Sequence, residues 1–328
     1  MSLDNSASPR SVSIVLPVYN ESENLNLAYQ EIRSVMDSAK WPYDIVFVDD
    51  GSSDGSKAIL KSLAEDPKVK VVLLRRNFGQ TAAMHAGIQH AGGDYIVTMD
   101  GDLQNDPADI PSMLEKLEED YDLVFGWRAD RQDKFLSRKL PSMLANKLIS
   151  RVTGFKINDL GCTLKAIRSE IAKDLELYGE MHRFIPILAS NLGARSIEVE
   201  VNHRARQFGE SKYGIGRSVR VVLDLITIQY MSRYFASPMK LFGFIGIIVS
   251  VLALVSMIAV VVMKLGWNFD VTGNPFTFLT VVSTILAGQF FILGIIGELS
   301  VRIYYGTGDK KSFQVRELLN FGDDFKKI

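Results

Sequence analysis

Residues 95–104 read Tyr-Ile-Val-Thr-Met-Asp-Gly-Asp-Leu-Gln: a β-forming run over 95–99 stops at two carboxylates, Asp100 and Asp102, with one glycine between them. Working outward, short apolar runs recur at 13–16, 44–48, 69–74 and 123–125, separated by stretches with helical periodicity. That alternation is the pattern of a mostly parallel sheet with crossover helices, an α/β domain over residues 1–215. Between the first two runs Leu25, Ala28, Ile32 and Val35 recur at helical spacing and predict one apolar stripe. Asn20, with Glu23 three residues on, is placed to cap that helix.

The strand ends carry the chemistry. Open α/β sheets bind ligands beyond the carboxyl ends of their strands. The first run ends in Pro17-Val18-Tyr19-Asn20-Glu21, the second in Asp49-Asp50-Gly51-Ser52-Ser53-Asp54-Gly55, and the fourth in Asp100-Gly101-Asp102. One such cluster is ordinary turn chemistry; three on the same rim predict a nucleotide pocket. Hard cations such as Mg²⁺ or Mn²⁺ take one or two protein carboxylates plus phosphate oxygens, so Asp100 and Asp102 suit a metal-bound diphosphate. A dinucleotide site needs G-x-G-x-x-G after the first strand, and Pro17–Glu21 contains no glycine; a G-x-x-x-x-G-K-[ST] loop is also absent.

The last third changes solvent. Residues 241–263 and 276–297 carry no charge. Each run is long enough to cross a hydrocarbon core of about 30 Å as a helix. The short link between them predicts a hairpin over 239–300, followed by a tail over 301–328. Arg217, Arg220, Arg233 and Lys240 precede the first run and Arg302, Lys310, Lys311 and Arg316 follow the second, whereas the link is bordered by Lys264 alone. The positive-inside rule then expects both termini and the α/β domain in the cytoplasm, on the cytoplasmic (inner) membrane. Over 216–238, Val219, Val222, Leu223, Ile226, Tyr230 and Tyr234 fall on one helical side and Arg220, Asp224 and Thr227 on the other, which reads as an interfacial amphipathic helix.

Charge is balanced, 37 Lys+Arg against 38 Asp+Glu, so the chain is no electrostatic binder of nucleic acid. Cys162 is the only cysteine, which excludes an intramolecular disulfide, and residues 1–10 carry no signal-peptide core. The four histidines have no zinc-site spacing. Basic residues cluster in two places: Arg128, Arg131 and Arg138, and then Arg204, Arg206 and Lys212, beside Ser211, in a glycine-flanked stretch. Arg and Lys bind phosphate oxygens strongly, so both clusters are candidates for a phosphate; Arg131 and Arg138 equally suit a solvated face, and Arg206 and Lys212 anionic headgroups.

Pro17–Glu21, Asp49–Gly55, Asn77-Phe78-Gly79-Gln80 and Asp100-Gly101-Asp102-Leu103-Gln104, in that order, resemble the nucleotide-sugar transferases of glycosyltransferase family 2, with the Rossmann-like GT-A fold, helices on both faces of the sheet. With the 206–214 segment and the two apolar runs, the chain is similar to bactoprenol (undecaprenyl-phosphate) glucosyltransferases, of which the dolichyl-phosphate mannosyltransferases are close relatives. The resemblance implies a metal-dependent, inverting hexosyltransferase that moves glucose from UDP-glucose to polyprenyl phosphate, with mannose or aminoarabinose as other donors and membrane lipids around it. A non-catalytic membrane scaffold is the reading from another class, and the oligomeric state, a homo-oligomer included, stays open. By position it implies Pro17, Tyr19, Glu21, Asp49, Asp50, Asn77, Gly79, Asp100 and Gly101 at the nucleotide sugar, Asp100 and Asp102 as metal ligands, and Gln104 near the sugar. Arg128, Arg206, Ser211 and Lys212 would meet the acceptor phosphate. Asp102, Gln104 and Asp159 would be catalytic, with Asp159 either a base, an orienting residue that holds Arg128, or a turn residue before a strand at 163–167. Gly126-Trp127-Arg128-Ala129 and Asp159-Leu160-Gly161-Cys162-Thr163-Leu164-Lys165 depart from the mannosyl enzymes' motifs, and the Gln-x-x-Arg-Trp motif of processive synthases is missing.

Overall fold

The computed structural model describes residues 10–39, 41–129, 157–177, 179, 181–204, 230, 237–306 and 313–322. Eight strands form one sheet: β1 (Val12–Val18), β2 (Tyr43–Asp49), β3 (Val69–Leu74), β4 (Tyr95–Thr98), β5 (Leu123–Trp127), β6 (Lys165–Arg168), β7 (Ser196–Glu200) and β8 (Val315–Leu319). Their order is β7-β5-β6-β4-β1-β2-β3-β8. The central strands β4, β1, β2 and β3 run parallel, as the alternating pattern requires. Strand β6 is antiparallel to both neighbours, β4 and β5, and β8 is antiparallel to β3. The sheet is therefore mixed, mostly parallel within its centre.

Helices α1 (Leu25–Ser38), α2 (Ser56–Leu63), α3 (Gln80–His90) and α4 (Ile110–Glu118) supply the crossovers. The central strands are buried along almost their whole length: Ile14, Leu16, Ile45, Phe47, Val71 and Val97 have no exposed surface, and Leu25, Ile32, Leu60 and Leu114 close over them. At about 25 cal/mol per Å² removed from water, this layer drives the folding of the sheet. In α1 the buried residues are Leu25, Ala28, Ile32 and Met36, so the stripe ends on Met36 rather than Val35. Successive steps of three, four and four residues follow the 3.6-residue turn, and Val35 falls off that line. Asn20 does not cap α1. The helix starts after Asn24, and Asn20, in the left-handed region at φ 54°, receives the Ser53 N–H at 2.8 Å. It thus ties the ends of β1 and β2 together.

Two edge strands carry no apolar run in the sequence. Strand β7 is Ser-Ile-Glu-Val-Glu, and β8, Val-Arg-Glu-Leu-Leu, lies in the tail beyond the apolar runs. The Asn320 amide donates to the carbonyls of Ala64, Asp66 and Val69, and Phe313 sets its ring edge-on to His85 at 5.6 Å.

The chain divides into two compact units, 1–224 with 311–328, and 225–310. In the second, α7 (Pro238–Trp267) and α8 (Pro275–Gly306) continue the numbering after α5 (Ser169–Lys173) and α6 (Ile185–Asn191) of the first unit. The 30 residues of α7 span about 45 Å at 1.5 Å per residue. Both helices are long and apolar enough to cross a membrane. They approach through small residues: Gly246 lies against the Phe291 ring, a Cβ on Gly294 would come within 2.6 Å of the Met239 sulfur, and the Ser256 and Thr280 hydroxyls are 2.8 Å apart. The interfacial helix expected over 216–238 lies outside the described residues except for Tyr230, Ser237 and Pro238, as do Arg131, Arg138, Arg206, Ser211 and Lys212.

Candidate active site

A cleft of about 210 Å³ opens at the carboxyl ends of β1, β2 and β4 and is lined by Pro17, Tyr19, Glu21, Asp50, Asn77, Gly79, Gln80, Asp100, Gly101 and Asp102 among others. Three strand ends therefore do share one pocket. Asp50 is buried and accepts the N–H groups of Phe78 at 2.7 Å and Gly79 at 2.9 Å. Burial raises its carboxyl above the usual range and those two amides oppose the rise. Gly51 turns the chain beneath it: at φ 73°, a Cβ there would sit 2.6 Å from the Arg76 carbonyl carbon. A side chain at 51 would push the 76–79 loop away from the cleft. Asp49 is not among the residues that line the cleft. It has no exposed surface and accepts the Ser52 N–H at 3.1 Å, the work of a turn residue.

Asp100 and Asp102 face each other's charge on the cleft floor. Burial first, and the Asp102 carboxylate second, push the Asp100 carboxyl up to about 6, against the pull of Thr163, Lys165 and Arg128. Gln80 donates its amide to Asp100 Oδ1 at 2.7 Å. The Gln104 N–H donates to Asp102 Oδ1 at 3.2 Å, and the Gln104 carbonyl receives the Arg204 N–H, so Gln104 contributes backbone to the turn that carries Asp102. Arg204 is held in turn by Glu31 at 2.7 Å and Asp106 at 2.8 Å.

Beside the cleft, Asp159 and Arg128 form a two-pronged ion pair: Nε to Oδ2 at 2.6 Å and an Nη to Oδ1 at 3.0 Å. Burial would lower the Arg128 pKa, but the Asp159 contact outweighs it and raises it. Asp159 Oδ1 also receives the Gly161 N–H at 3.0 Å, and a Cβ on Gly161 would come within 2.8 Å of the Arg128 guanidinium. Glu198 receives the backbone N–H groups of Asn158 and Asp159, which anchors the pair to β7.

Sequence reasoning did not single out Gln80, Asn105 or Lys165. Gln80 was within reach, since it closes the Asn77–Gln80 run. Asn105 accepts the Thr163 hydroxyl at 3.0 Å under the Asp100 turn. Lys165 is the first residue of β6, 1 % exposed, and burial brings its ammonium down to about 8 against the nearby Cys162, Asp100 and Asp159. His182, buried against the Thr81 hydroxyl at 2.6 Å, is pulled to about 3 by burial and by Arg183 and Lys165, and stays neutral. Among the described residues no three His, Cys, Asp or Glu side chains form a metal cage, so a cation here would draw its remaining ligands from phosphate and water.

A family model described as "Glycosyl transferase family 2" matches residues 13–176. The dodecaprenyl-phosphate galacturonate synthase of Rhizobium johnstonii is 40% identical over 319 residues, 94% of this chain and 93% of that protein. The undecaprenyl-phosphate 4-deoxy-4-formamido-L-arabinose transferase of Edwardsiella ictaluri is 39% identical over 297 residues, 89% of each. Among solved structures, glucosyl-3-phosphoglycerate synthase from Mycobacterium tuberculosis, in complex with Mn²⁺, UDP and glucosyl-3-phosphoglycerate, superposes with a TM-score of 0.51 and 20% identity over 67% of this chain and 80% of that one. At that identity the likeness is one of fold.

Proposed function

The chain belongs to glycosyl transferase family 2 and is a glycosyltransferase, and from that premise we propose that it moves a sugar from a nucleoside diphosphate onto the phosphate of a polyprenyl lipid. The observation that carries the reading is a cleft at three strand ends with two carboxylates, Asp100 and Asp102, in its lining, in a chain that also has two helices of membrane-crossing length. Likeness to two polyprenyl-phosphate sugar transferases over 94% and 89% of the chain supports the acceptor.

In this reading Asp50, Tyr19 and Glu21 hold the nucleoside and Asp100 and Asp102 hold Mg²⁺ or Mn²⁺. The donor set fits: the Asp102 carboxylate makes ionising Asp100 costlier, and a cation relieves that cost. When bound, the metal supplies positive charge to the leaving diphosphate. The lipid phosphate oxygen attacks the anomeric carbon from the face opposite the diphosphate, the bond to the diphosphate breaks, and the configuration inverts. A phosphate monoester with a second pKa of about 6 is already a dianion at neutral pH. It needs alignment more than a base. Asp159, with both oxygens on Arg128, therefore orients the guanidinium toward that phosphate. Arg206, Ser211 and Lys212, in the glycine-flanked stretch of the sequence, would join it.

The two relatives name galacturonate and formamido-arabinose, neither of them glucose, so a modified sugar goes ahead of the glucose expected from the motifs, and mannose comes last. A panel of nucleotide sugars, each incubated with the full chain, Mn²⁺ and undecaprenyl phosphate, tests this by mass spectrometry of the lipid. Lipid-linked sugar from a single donor supports transfer, and no lipid product from any donor refutes it. We further place both termini in the cytoplasm of the inner membrane, on the charge asymmetry around α7 and α8. A cysteine at the exposed Asp270, in a Cys162→Ser background, should react with an impermeant thiol reagent on intact cells. Labelling only after lysis would reverse the topology.

A further inference from the structure

A lysine with 1 % of its surface exposed carries a desolvation penalty that a methionine of similar volume would avoid, so packing does not account for Lys165. Its place in the fold does. Strand β6 is the strand between β4 and β5, and Lys165 pairs with Thr98 on one side and Phe125 on the other. Beyond Thr98 lie Asp100 and Asp102; beyond β5 lies Arg128. Because β6 runs antiparallel to both, its first residue stands at the rim where β4 and β5 end.

The turn that feeds β6 touches both sides. At one end Asp159 grips Arg128. At the other the Thr163 hydroxyl reaches Asn105 at 3.0 Å, whose oxygen faces the Asp100 N–H, and the Thr163 carbonyl receives the Thr98 hydroxyl at 2.9 Å. The Lys165 ammonium donates to the Cys162 carbonyl, the middle of that turn. A bond from a charged donor is roughly twice as strong as a neutral one, and here it is shielded from water.

We propose that Lys165 is a positioning residue that fixes the 159–163 turn and thereby sets the spacing between the donor carboxylates and Arg128. The inference rests on the reading above, in which Asp100 faces the donor and Arg128 the acceptor phosphate. Asp100 keeps a second anchor in Gln80, so loss of the lysine should disturb the acceptor side more than donor binding.

The test uses full-length protein in detergent with Lys165→Met, which removes charge and hydrogen bond, and Lys165→Gln, which keeps a donor. Calorimetry of UDP with Mn²⁺ reads the donor site, and kcat and KM for undecaprenyl phosphate read transfer. Misplacement of a reacting group by about 1 Å costs on the order of 100-fold, so K165M should lose about that in kcat while UDP affinity changes less than about threefold. K165Q should recover at least about tenfold of the loss, since the hydrogen bond is what holds the turn. Amide exchange across 159–163 should quicken in K165M and return toward wild type in K165Q. Unchanged kcat in K165M, or UDP affinity and rate lost in equal measure, overturns the proposal. If the wild-type chain transfers no sugar, the functional reading fails, and the exchange readout alone decides for or against Lys165: equal exchange in all three proteins refutes it.

Discussion

The two units of this chain solve opposite solvent problems. In the sheet unit the strands bury their side chains, and among the described residues buried charges meet partners: Asp50 on two amides, Asp159 on Arg128, Lys165 on a carbonyl. In the helical unit the large apolar side chains point outward, Ile247, Val255, Ile285 and Ile296 each more than half exposed, while Gly246, Ala253, Ser256 and Ala287 fill the contact between helices. A helix whose outside is more apolar than its inside is stable where the surroundings are hydrocarbon. In the proposed reading the difference divides the labour: directed charge in one unit, and in the other two helices suited to the lipid that carries the acceptor's tail.

The sharpest way to break that division is at the cleft. Asp102→Ala should lower turnover by on the order of 1,000-fold with little change in Tm, because a carboxylate that meets the metal acts on the leaving group and not on the core. Full activity of the wild type in excess chelator would remove the metal from the account.

A change of intermediate size belongs to the hairpin. Gly294→Leu places a side chain where even a Cβ would meet the Met239 sulfur, and overpacking of this kind costs about 1–3 kcal/mol. Thermal unfolding in detergent should report the loss, while UDP affinity stays at wild-type level. An equal loss of UDP binding would show that the units are not independent.

The smallest effect is a pH dependence. The Asp100 carboxyl is raised from 3.8 to about 6 in the folded protein, so the folded state holds that proton more tightly than the unfolded chain. Its contribution to stability is present below the ordinary carboxylate pKa and is lost as pH rises through about 6. A cation reverses this by favouring the ionised form. The gain in Tm from UDP with Mn²⁺ should therefore be a few degrees larger at pH 7.5 than at pH 5. A gain independent of pH would mean that Asp100 does not meet the metal.

How much of this was legible in the sequence follows from range. The central strands and the Asp100–Asp102 pair are local patterns, and they stand where the apolar runs place them. Edge strands β7 and β8 were not legible, since half-exposed strands with glutamates in them carry no apolar signature, and β8 joins β3 from 241 residues further along, counting Val315 from Leu74. The pairing of Arg128 with Asp159, 31 residues apart, was weighed only as one role among three, because spacing alone does not bring two side chains within 3 Å. Lys165 was invisible for the same reason: its meaning comes from β6 lying between two strands that are distant in sequence.

The central claim is transfer of a sugar to a lipid phosphate by direct displacement, and the anomeric configuration of the product tests it most directly. With an α-linked nucleotide sugar, Mn²⁺ and undecaprenyl phosphate, phosphorus-coupled NMR of the purified lipid should show a β-linked sugar on a phosphodiester, with the nucleoside diphosphate released in equal amount. An α-linked product, or a sugar attached anywhere but the phosphate, would contradict the account.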